Sequence, residues 1–198
     1  MTQLPESSLS RQDIRQMIRQ RRRTLTAQQQ IDFGQQAASH MMAYPPVVMA
    51  HTVALFLSFD GELDTQPLIE QLWRAGKRIY LPVLHPFSPG NLLFLHYHPR
   101  SELVVNRLKI REPKLDVRDV LPLGQLDVLI TPLVAFDKQG QRLGMGGGFY
   151  DRTLQNWQQH GINPVGYAHD CQLVDALPVE QWDIPLPAVV TPSKVWQW

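Results

Sequence analysis

One stretch of the sequence, RLGMGGGFYDR at residues 142–152, combines groups that can bind and neutralise phosphate. Four glycines stand within five residues, which leaves the backbone bare and able to approach a ligand closely. A glycine-rich turn that leads into a helix presents backbone N–H groups where the helix dipole favours anions. Arg142 can add a bidentate fork to phosphate oxygens. The stretch therefore predicts a phosphate-binding loop rather than a purely structural turn.

Two common phosphate motifs do not account for this stretch. The P-loop needs a Lys directly after its last glycine, and no Lys follows these glycines. The dinucleotide fingerprint needs a third glycine three residues after the second, and from Gly144 and Gly146 that position is Phe149. Asp170 ends a predicted strand about 20 residues further on, as the fingerprint expects, but the glycine spacing speaks against that motif.

The carboxylate of Asp151 has two interpretations. It falls in the first turn of the helix predicted after the glycines, where an acid complements the helix dipole by ~0.3–1 kcal/mol. It can also be a Mg2+ ligand beside a bound polyphosphate, because Mg2+ prefers carboxylate oxygens together with phosphate oxygens. The residues alone leave both interpretations open.

The elements that must position these groups follow an alternating pattern along the chain. Helices are predicted over residues 10–25, 65–77 and 150–161. A further helix is predicted to begin at a capping box formed by Thr26 and Gln29 and to end at Pro45. Strands are predicted at 51–58, 78–84, 91–98, 126–133, 163–170 and 187–192. The alternation predicts an α/β fold, a three-layer, open, mostly parallel, Rossmann-like sheet with helices on both faces.

Composition bounds the kind of protein. The 198 residues are 43% hydrophobic, which predicts a single domain over residues 1–198 with a loose tail at 1–9. The net charge of +1 gives no general attraction to nucleic acid or to an acidic membrane. Cys171 is the only cysteine, so no internal disulfide can form. Without a leader pattern or a long apolar run, the sequence predicts a soluble cytoplasmic protein.

The longer stretch PLVAFDKQGQRLGMGGGFYDR, residues 132–152, resembles the signature of the 5-formyltetrahydrofolate cyclo-ligases, also called 5,10-methenyltetrahydrofolate synthetases. The likeness extends through RQDIRQMIRQRRRTL, LFLSFDGELDT, LKIREP and EQWDIPLPAVVTP, and so covers nearly all of the chain. The resemblance implies an ATP- and Mg2+-dependent cyclisation of 5-formyltetrahydrofolate to 5,10-methenyltetrahydrofolate, with ADP and phosphate released. It also implies that the formyl oxygen is phosphorylated first.

The resemblance implies roles for individual residues. Arg11 and Arg15 would contact ATP, Arg142 and Asp151 would take part in catalysis, and Asp151 and Asp183 would hold Mg2+. The loop around the ATP phosphates would consist of Arg142, Leu143, Gly144, Met145, Gly146, Gly147, Gly148, Phe149 and Tyr150. The folate would be contacted by Arg15, Leu57, Glu62, Met145, Gly146, Gly147, Gly148 and Phe149.

The glycine loop departs from the pattern of some relatives, which carry a basic residue at the positions of Met145 or Gly147. Both positions are uncharged here. Neutralisation of the phosphates is therefore expected to rest on backbone N–H groups, Arg142, the N-terminal arginines and Mg2+.

The N-terminal arginines have other interpretations. Arg11, Arg15 and Arg19 repeat every four residues and so share one helical face, which can be a solvated surface. With residues 21–23, also arginines, the helix can be a nucleic-acid contact, but so small a patch on a near-neutral chain argues against this. A basic helix that closes over ATP fits the resemblance better.

Several side chains near the predicted strands are candidates for the folate pocket. The pterin needs an apolar slot with a few polar anchors, and Tyr80 and Phe149 are candidate walls. His96 and His98 alternate on one strand face but lack a third metal ligand at a telling spacing.

Two rival functions remain open at this level. One is another phosphate-ester or coenzyme A enzyme on the same architecture, because fold alone does not separate such activities. The other is a regulatory module that binds a nucleotide or RNA without turnover. The preferred interpretation is a monomeric enzyme whose partners are 5-formyltetrahydrofolate and ATP, with no nucleic-acid or membrane partner.

Overall fold

The computed structural model describes residues 9–198, so the loose tail predicted at residues 1–9 lies almost wholly outside the described part. The helices are α1 Arg11–Arg23, α2 Ala27–Ala43, α3 Pro45–Met49, α4 Gln66–Arg74, α5 Phe149–Leu154 and α6 Trp157–His160. The strands are β1 Thr52–Ala54, β2 Arg78–Leu84, β3 Leu92–Tyr97, β4 Leu103–Val105, β5 Arg111–Pro113, β6 Val120–Leu121, β7 Val128–Thr131, β8 Ala135–Phe136, β9 Arg142–Leu143, β10 Asn163–Tyr167, β11 Ala188–Val190 and β12 Val195–Gln197.

The first two helices begin at capping boxes. The Ser10 hydroxyl accepts from the backbone N–H of Asp13 at the start of α1, and Thr26 does the same with Gln29 at the start of α2. Pro45 does more than end α2, because it stands at the first position of α3. A proline fits there since the first turn of a helix does not use its N–H groups.

The main sheet has eight strands in the order β12-β11-β10-β7-β1-β2-β3-β6. The five strands from β11 to β2 pair in parallel. Strand β12 at one edge and β3 near the other run antiparallel to their neighbours. The continuous apolar run of β7 lies at the centre, between β10 and β1, as expected for a strand covered on both faces.

Alternate residues of the central strands face two different helical layers. Val128 and Ile130 of β7 belong to the core shared with α2, α3 and α4. Leu129 belongs to the opposite core, which includes Leu154 of α5 and the partly buried Trp157 of α6. Since successive strand residues point to opposite sides, the sheet carries helices on both faces. The three-layer α/β prediction is confirmed.

The boundaries of some predicted elements are wrong. The strand predicted at 51–58 ends at Ala54, and the helix predicted over 150–161 divides between Leu154 and Trp157. The hairpins β4–β5 and β8–β9 and the edge strand β12 were not predicted. These strands are two or three residues long, so their pairing depends on distant partners rather than on a local apolar pattern.

Helix α1 packs outside the main sheet. Its buried residues Ile14 and Ile18 form a separate apolar cluster with Val134, Ala135 of β8 and Leu143 of β9. This contact places α1 beside the hairpin whose second strand leads into the glycine loop. No helix within residues 9–198 has the length and apolar character needed to cross a membrane.

Gly166 in β10 is expected to tolerate no side chain. A Cβ there would lie 2.7 Å from Leu133 and 2.9 Å from Val189, both core residues. Gly166→Ala should therefore lower the free energy of unfolding by ~1–3 kcal/mol in a urea titration, because overpacking forces core side chains to move.

The matched control is Gly124→Ala, whose Cβ would meet only His160 at 3.8 Å. The control should leave stability unchanged or slightly raised. Equal stabilities for the two variants would contradict the close packing assigned to β10.

Candidate active site

A cavity of about 670 Å³ opens at the carboxyl ends of the parallel strands. Leu57 follows β1, Leu84 ends β2 and Pro132 follows β7, and all three line it. This is the edge of an open α/β sheet at which ligands usually bind.

The cavity gathers nearly all of the predicted site residues. Those that line it are Arg11, Arg15, Leu57, Glu62, Arg142, Gly144, Met145, Gly146, Gly147, Gly148, Phe149, Tyr150 and Asp151. Two predicted residues lie behind the wall. Leu143 is buried in the cluster with Ile14 and Ile18, and Asp183 is bonded to Arg11, which does line the cavity.

The glycine loop needs its glycines for backbone conformation. Gly146 has φ of 106° and Gly148 has φ of 69°, both in the left-handed region that other residues rarely adopt. At Gly147 the constraint is space, because a Cβ would lie 2.7 Å from the ring of Phe149. A side chain at Gly147 would therefore require Phe149 to move.

Two arginines, one on α1 and one on α5, donate hydrogen bonds to backbone carbonyls of the glycine loop. Nε of Arg15 in α1 donates to the carbonyl of Gly144 at 2.8 Å. Nη1 of Arg152 in α5 donates to the carbonyl of Gly147 at 2.8 Å and to that of Gly90 at 2.9 Å. Neither arginine forms an ion pair with a carboxylate in the described part of the chain. Arg15 lines the cavity, so its positive charge is available to a phosphate there, whereas Arg152 is not among the lining residues.

Arg152 was missed in the sequence analysis, although it ends the quoted stretch. The signal was its position, since Arg152 follows Gly148 by four residues and thus lies one helical turn into α5. Its reach back to the loop depends on the short helix that begins at Phe149.

Arg142 and Asp151 form a nearly buried ion pair. Nη2 of Arg142 lies 2.5 Å from Oδ1 of Asp151, and the two side chains are 2% and 15% exposed. The backbone N–H of Ile184 donates to the same Oδ1 at 3.1 Å. Nε of Arg142 is buried without a hydrogen-bond partner among residues 9–198. A buried donor left unpaired is unfavourable, and a phosphate oxygen would satisfy it.

Asp183 forms a second ion pair, with Arg11, which was also predicted to bind ATP. The two guanidinium nitrogens of Arg11 lie 2.5 and 3.1 Å from its carboxylate oxygens. The N–H of Glu180 donates to it at 2.8 Å. Burial alone would raise the pKa of Asp183, but the hydrogen bonds from Arg11 and Glu180 outweigh burial and lower it. Both acids predicted to hold metal are therefore paired with arginines predicted to bind ATP.

The donor set fits Mg2+ held jointly with phosphate. No group of three or more His, Cys, Asp or Glu that could hold a metal ion occurs within residues 9–198. Mg2+ does not need such a group, since it is commonly bound through one or two carboxylates plus substrate phosphates. Asp151 lines the cavity and would be the carboxylate that holds the ion there. Asp183 lies next to Ile184, which is bonded to Asp151.

Glu62 projects from the loop after β1 into the cavity. Burial raises its pKa to about 7, against the opposing effects of a hydrogen bond from Phe59 and the charge of Arg22. Its negative charge adds to burial in raising the pKa of the neighbouring Tyr150. A carboxylate that titrates near neutrality can serve as a polar anchor in an otherwise apolar slot.

The prediction that Tyr80 lines the folate pocket is wrong. Tyr80 is 1% exposed and packs in the core against α5 and α6, because its place in β2 turns it away from the cavity. Phe149 does line the cavity. The sequence analysis missed other lining residues, some on loops and some on strands. The loop residues include Phe59, Asn106, Leu108, Ile110 and Trp182, and the strand residues are Leu81, Pro82 and Leu84 of β2, Leu92 of β3 and Arg111 and Glu112 of β5.

Comparison with known proteins gives one consistent result. The model of the 5-formyltetrahydrofolate cyclo-ligase family matches residues 7–192. The chain is 84% identical to the 5-formyltetrahydrofolate cyclo-ligase of Escherichia coli (strain K12), over 92% of this chain and 100% of the relative. It is 54% identical to the enzyme of the same name from Haemophilus influenzae, over 89% and 94% of the two chains.

A solved structure is similar over almost the whole fold. The NMR structure of 5,10-methenyltetrahydrofolate synthetase from Aquifex aeolicus superposes with a TM-score of 0.81 at 27% identity. The superposition covers 96% of this chain and 93% of the other.

The raised pKa of Glu62 predicts a pH-dependent effect on stability. The native state favours the neutral carboxyl, so this contribution is complete below pH 4.5 and is lost as pH rises through about 7. Glu62→Gln should therefore gain stability relative to the parent protein between pH 5 and pH 9, by ~1–3 kcal/mol in urea titrations.

The control is Glu70→Gln on the exposed side of α4, where Glu70 pairs with Arg74 at 3.9 Å. Its stability difference from the parent should stay constant over the same range. A pH-independent difference for Glu62→Gln would contradict the raised pKa.

Proposed function

The chain belongs to the 5-formyltetrahydrofolate cyclo-ligase family, and on that premise we propose that it converts 5-formyltetrahydrofolate to 5,10-methenyltetrahydrofolate with ATP and Mg2+. The observation that carries the proposal is one cavity lined by two chemically different sets of residues, which we take as its ATP end and its folate end. The glycine loop, with Arg11, Arg15 and Asp151, is the first set, and Leu57, Glu62 and apolar loop residues are the second.

The ATP phosphates are assigned to the glycine loop. Bare backbone at Gly146 and Gly148 lets phosphate oxygens approach N–H groups closely. Arg15 lines the cavity, is bonded to a loop carbonyl and carries no paired charge within the described residues, so it takes the part of the basic residue that some relatives carry. Arg142 also lines the cavity, where Asp151 holds its Nη2 and its Nε has no partner among residues 9–198.

Mg2+ is assigned to Asp151 and Asp183, beside the phosphates. A Mg2+ ion held by these carboxylates would reduce the negative charge that opposes attack on the terminal phosphorus. The ion pairs with Arg142 and Arg11 keep both carboxylates in place before the substrates arrive.

The folate is assigned to the other end, with its reacting formyl group against the glycine loop. Leu57 and Phe149 supply apolar surface, and Glu62 supplies a polar anchor for the ring nitrogens. The formyl oxygen then lies beside Met145 and the glycines, in reach of the terminal phosphorus of ATP.

The proposed chemistry has two steps. The formyl oxygen attacks the terminal phosphorus of ATP, an O–P bond forms, and ADP leaves. N10 of the folate then attacks the activated formyl carbon and loses its proton, and phosphate departs as the N5–C–N10 amidinium forms. No protein nucleophile is required, and positioning and charge neutralisation are the protein's main contributions.

We also propose that the enzyme is a monomer, that it acts in the cytoplasm and that it has no nucleic-acid partner.

Turnover by the purified protein tests the proposal directly. With 5-formyltetrahydrofolate, ATP and Mg2+, the ultraviolet absorbance of the methenyl product should rise in step with the release of ADP. Reactions that lack ATP or folate serve as controls. Folded protein that forms no product would refute the assignment, and RNA retention without ATP use would favour a binding module instead.

Asp151→Asn separates the two interpretations of that acid. Asparagine keeps an oxygen for Arg142 and Ile184 but removes the charge that would hold Mg2+. Loss of a charge-assisted contact of ~1.5–3 kcal/mol should raise the Mg2+ concentration for half-maximal rate about 10- to 100-fold.

The control for this variant is Asp32→Asn on α2, where Asp32 accepts a hydrogen bond from the exposed side chain of Gln28. It should leave the Mg2+ requirement unchanged. If Asp151→Asn lowers thermal stability without changing the Mg2+ requirement, its carboxylate serves the helix dipole.

A further inference from the structure

Three of the four arginines in the second half of α1 converge on one acid outside the ATP end of the cavity. Asp60 lies 3.7 Å from Nε of Arg19, 3.5 Å from Nη2 of Arg22 and 4.0 Å from Nη2 of Arg23. Arg22 differs from the other two because its side chain is only 3% exposed. Its Nε and Nη1 have no hydrogen-bond partner among residues 9–198. Burial of a cation with so few partners is unfavourable for stability, so its position calls for another explanation.

Asp60 belongs to the tight turn that carries Glu62. The N–H of Glu62 donates to the carbonyl of Phe59 at 3.0 Å, and its Oε2 accepts from the N–H of Phe59 at 3.1 Å. Asp60 has φ of 50° and Gly61 has φ of 74°. A non-glycine residue in this region carries strain of ~1–3 kcal/mol and persists only where its surroundings hold it.

The surroundings that hold the turn come from α1 and α2. Cβ of Arg22 lies 3.5 Å from the point that a Cβ on Gly61 would occupy. Nε2 of Gln30 in α2 donates to the carbonyl of Gly61 at 3.4 Å. Arg22 therefore contacts the turn through its stem and through the charge at its end.

We propose that Arg22 is a positioning residue for the folate end of the site, where its ion pair with Asp60 holds the strained turn that presents Glu62 to the cavity. This inference rests on the proposed function, because it takes Glu62 as the anchor of the folate. It assigns a role to the arginine run that neither the ATP site nor a nucleic-acid contact explains.

The charges around Glu62 allow a test that distinguishes an electrostatic role of Arg22 from a role in packing alone. Arg22 lowers the pKa of Glu62 and Asp60 raises it, although burial has the largest effect. The other titratable neighbours are Tyr150, whose pKa is raised by burial, and His169, whose pKa burial lowers to about 4. Both are neutral near pH 7. Loss of the Arg22 charge and loss of the Asp60 charge should therefore move the titration of Glu62 in opposite directions.

The experiment compares Arg22→Met and Asp60→Asn with the parent protein. The Kd for 5-formyltetrahydrofolate is measured by calorimetry without ATP from pH 5.5 to 8.5, and KM for ATP is measured by turnover. Both variants should raise the folate Kd ~10-fold or more, because a misplaced anchor loses its geometry, with KM for ATP changed less than ~3-fold. The pH midpoint of folate binding should rise in Arg22→Met and fall in Asp60→Asn.

Further variants separate positioning from stability. Arg22→Lys keeps the charge and should retain the parent midpoint. Arg74→Met, which removes an exposed partner of Glu70 on α4, is the matched control and should change neither Kd nor midpoint. If Arg22→Met does not fold, Asp60→Asn decides the question, because the Asp60 side chain is 36% exposed and its loss leaves the core intact.

The outcomes distinguish this inference from the proposed function. A parent protein without turnover refutes the function. A parent protein with normal turnover, together with variants that keep the parent folate Kd and midpoint, refutes only the role of Arg22. Parallel losses of folate and ATP affinity, with no opposed midpoint shifts, would likewise refute positioning.

Discussion

The contact of α1 with the β8–β9 hairpin is the interaction on which the site depends. Ile14 and Ile18 are fully buried there, and each buried side chain of this kind contributes ~1.5–3 kcal/mol relative to exposure. Residues three or four positions apart share one face of a helix. Burial of Ile14 and Ile18 therefore fixes the rotation of α1 about its axis, and with this rotation Arg11 and Arg15 line the cavity. The same contact directs Arg22 toward the turn before Glu62. The contact of α1 with the hairpin thus positions Arg11 and Arg15 at the cavity and Arg22 at the turn that carries Glu62.

The arginines and acids of the site organise one another before any substrate binds. Arg11 with Asp183 and Arg142 with Asp151 are close pairs with low exposure, and removal of one member would leave the other charge buried. Such pairs hold side chains rigidly, so the site is organised without a ligand. Arg15 has no paired carboxylate in the described part of the chain. Burial and the neighbouring arginines lower its pKa.

Sequence patterns predicted the fold well where the cause is local. The capping boxes at Ser10 and Thr26 and the apolar run of β2 depend on residues within a few positions of each other, and each element begins as expected. The site could be predicted as a set of residues, since all but Leu143 and Asp183 line the cavity. Prediction failed for Tyr80, because the side of a strand that faces a cavity depends on which helix covers the other side.

The sequence by itself determined the α/β class and the family, because these follow from local periodicity and from a dense motif, and it predicted a phosphate-binding glycine loop. Tertiary structure alone decided the partners of the charges. The pairing of Arg11 with Asp183 spans 172 positions, and the bond from Arg15 to Gly144 spans 129. No local pattern encodes such distances, since they arise when the sheet brings separate strand ends to one edge. The bond that joins Arg15 to the glycine loop therefore forms only when the chain folds.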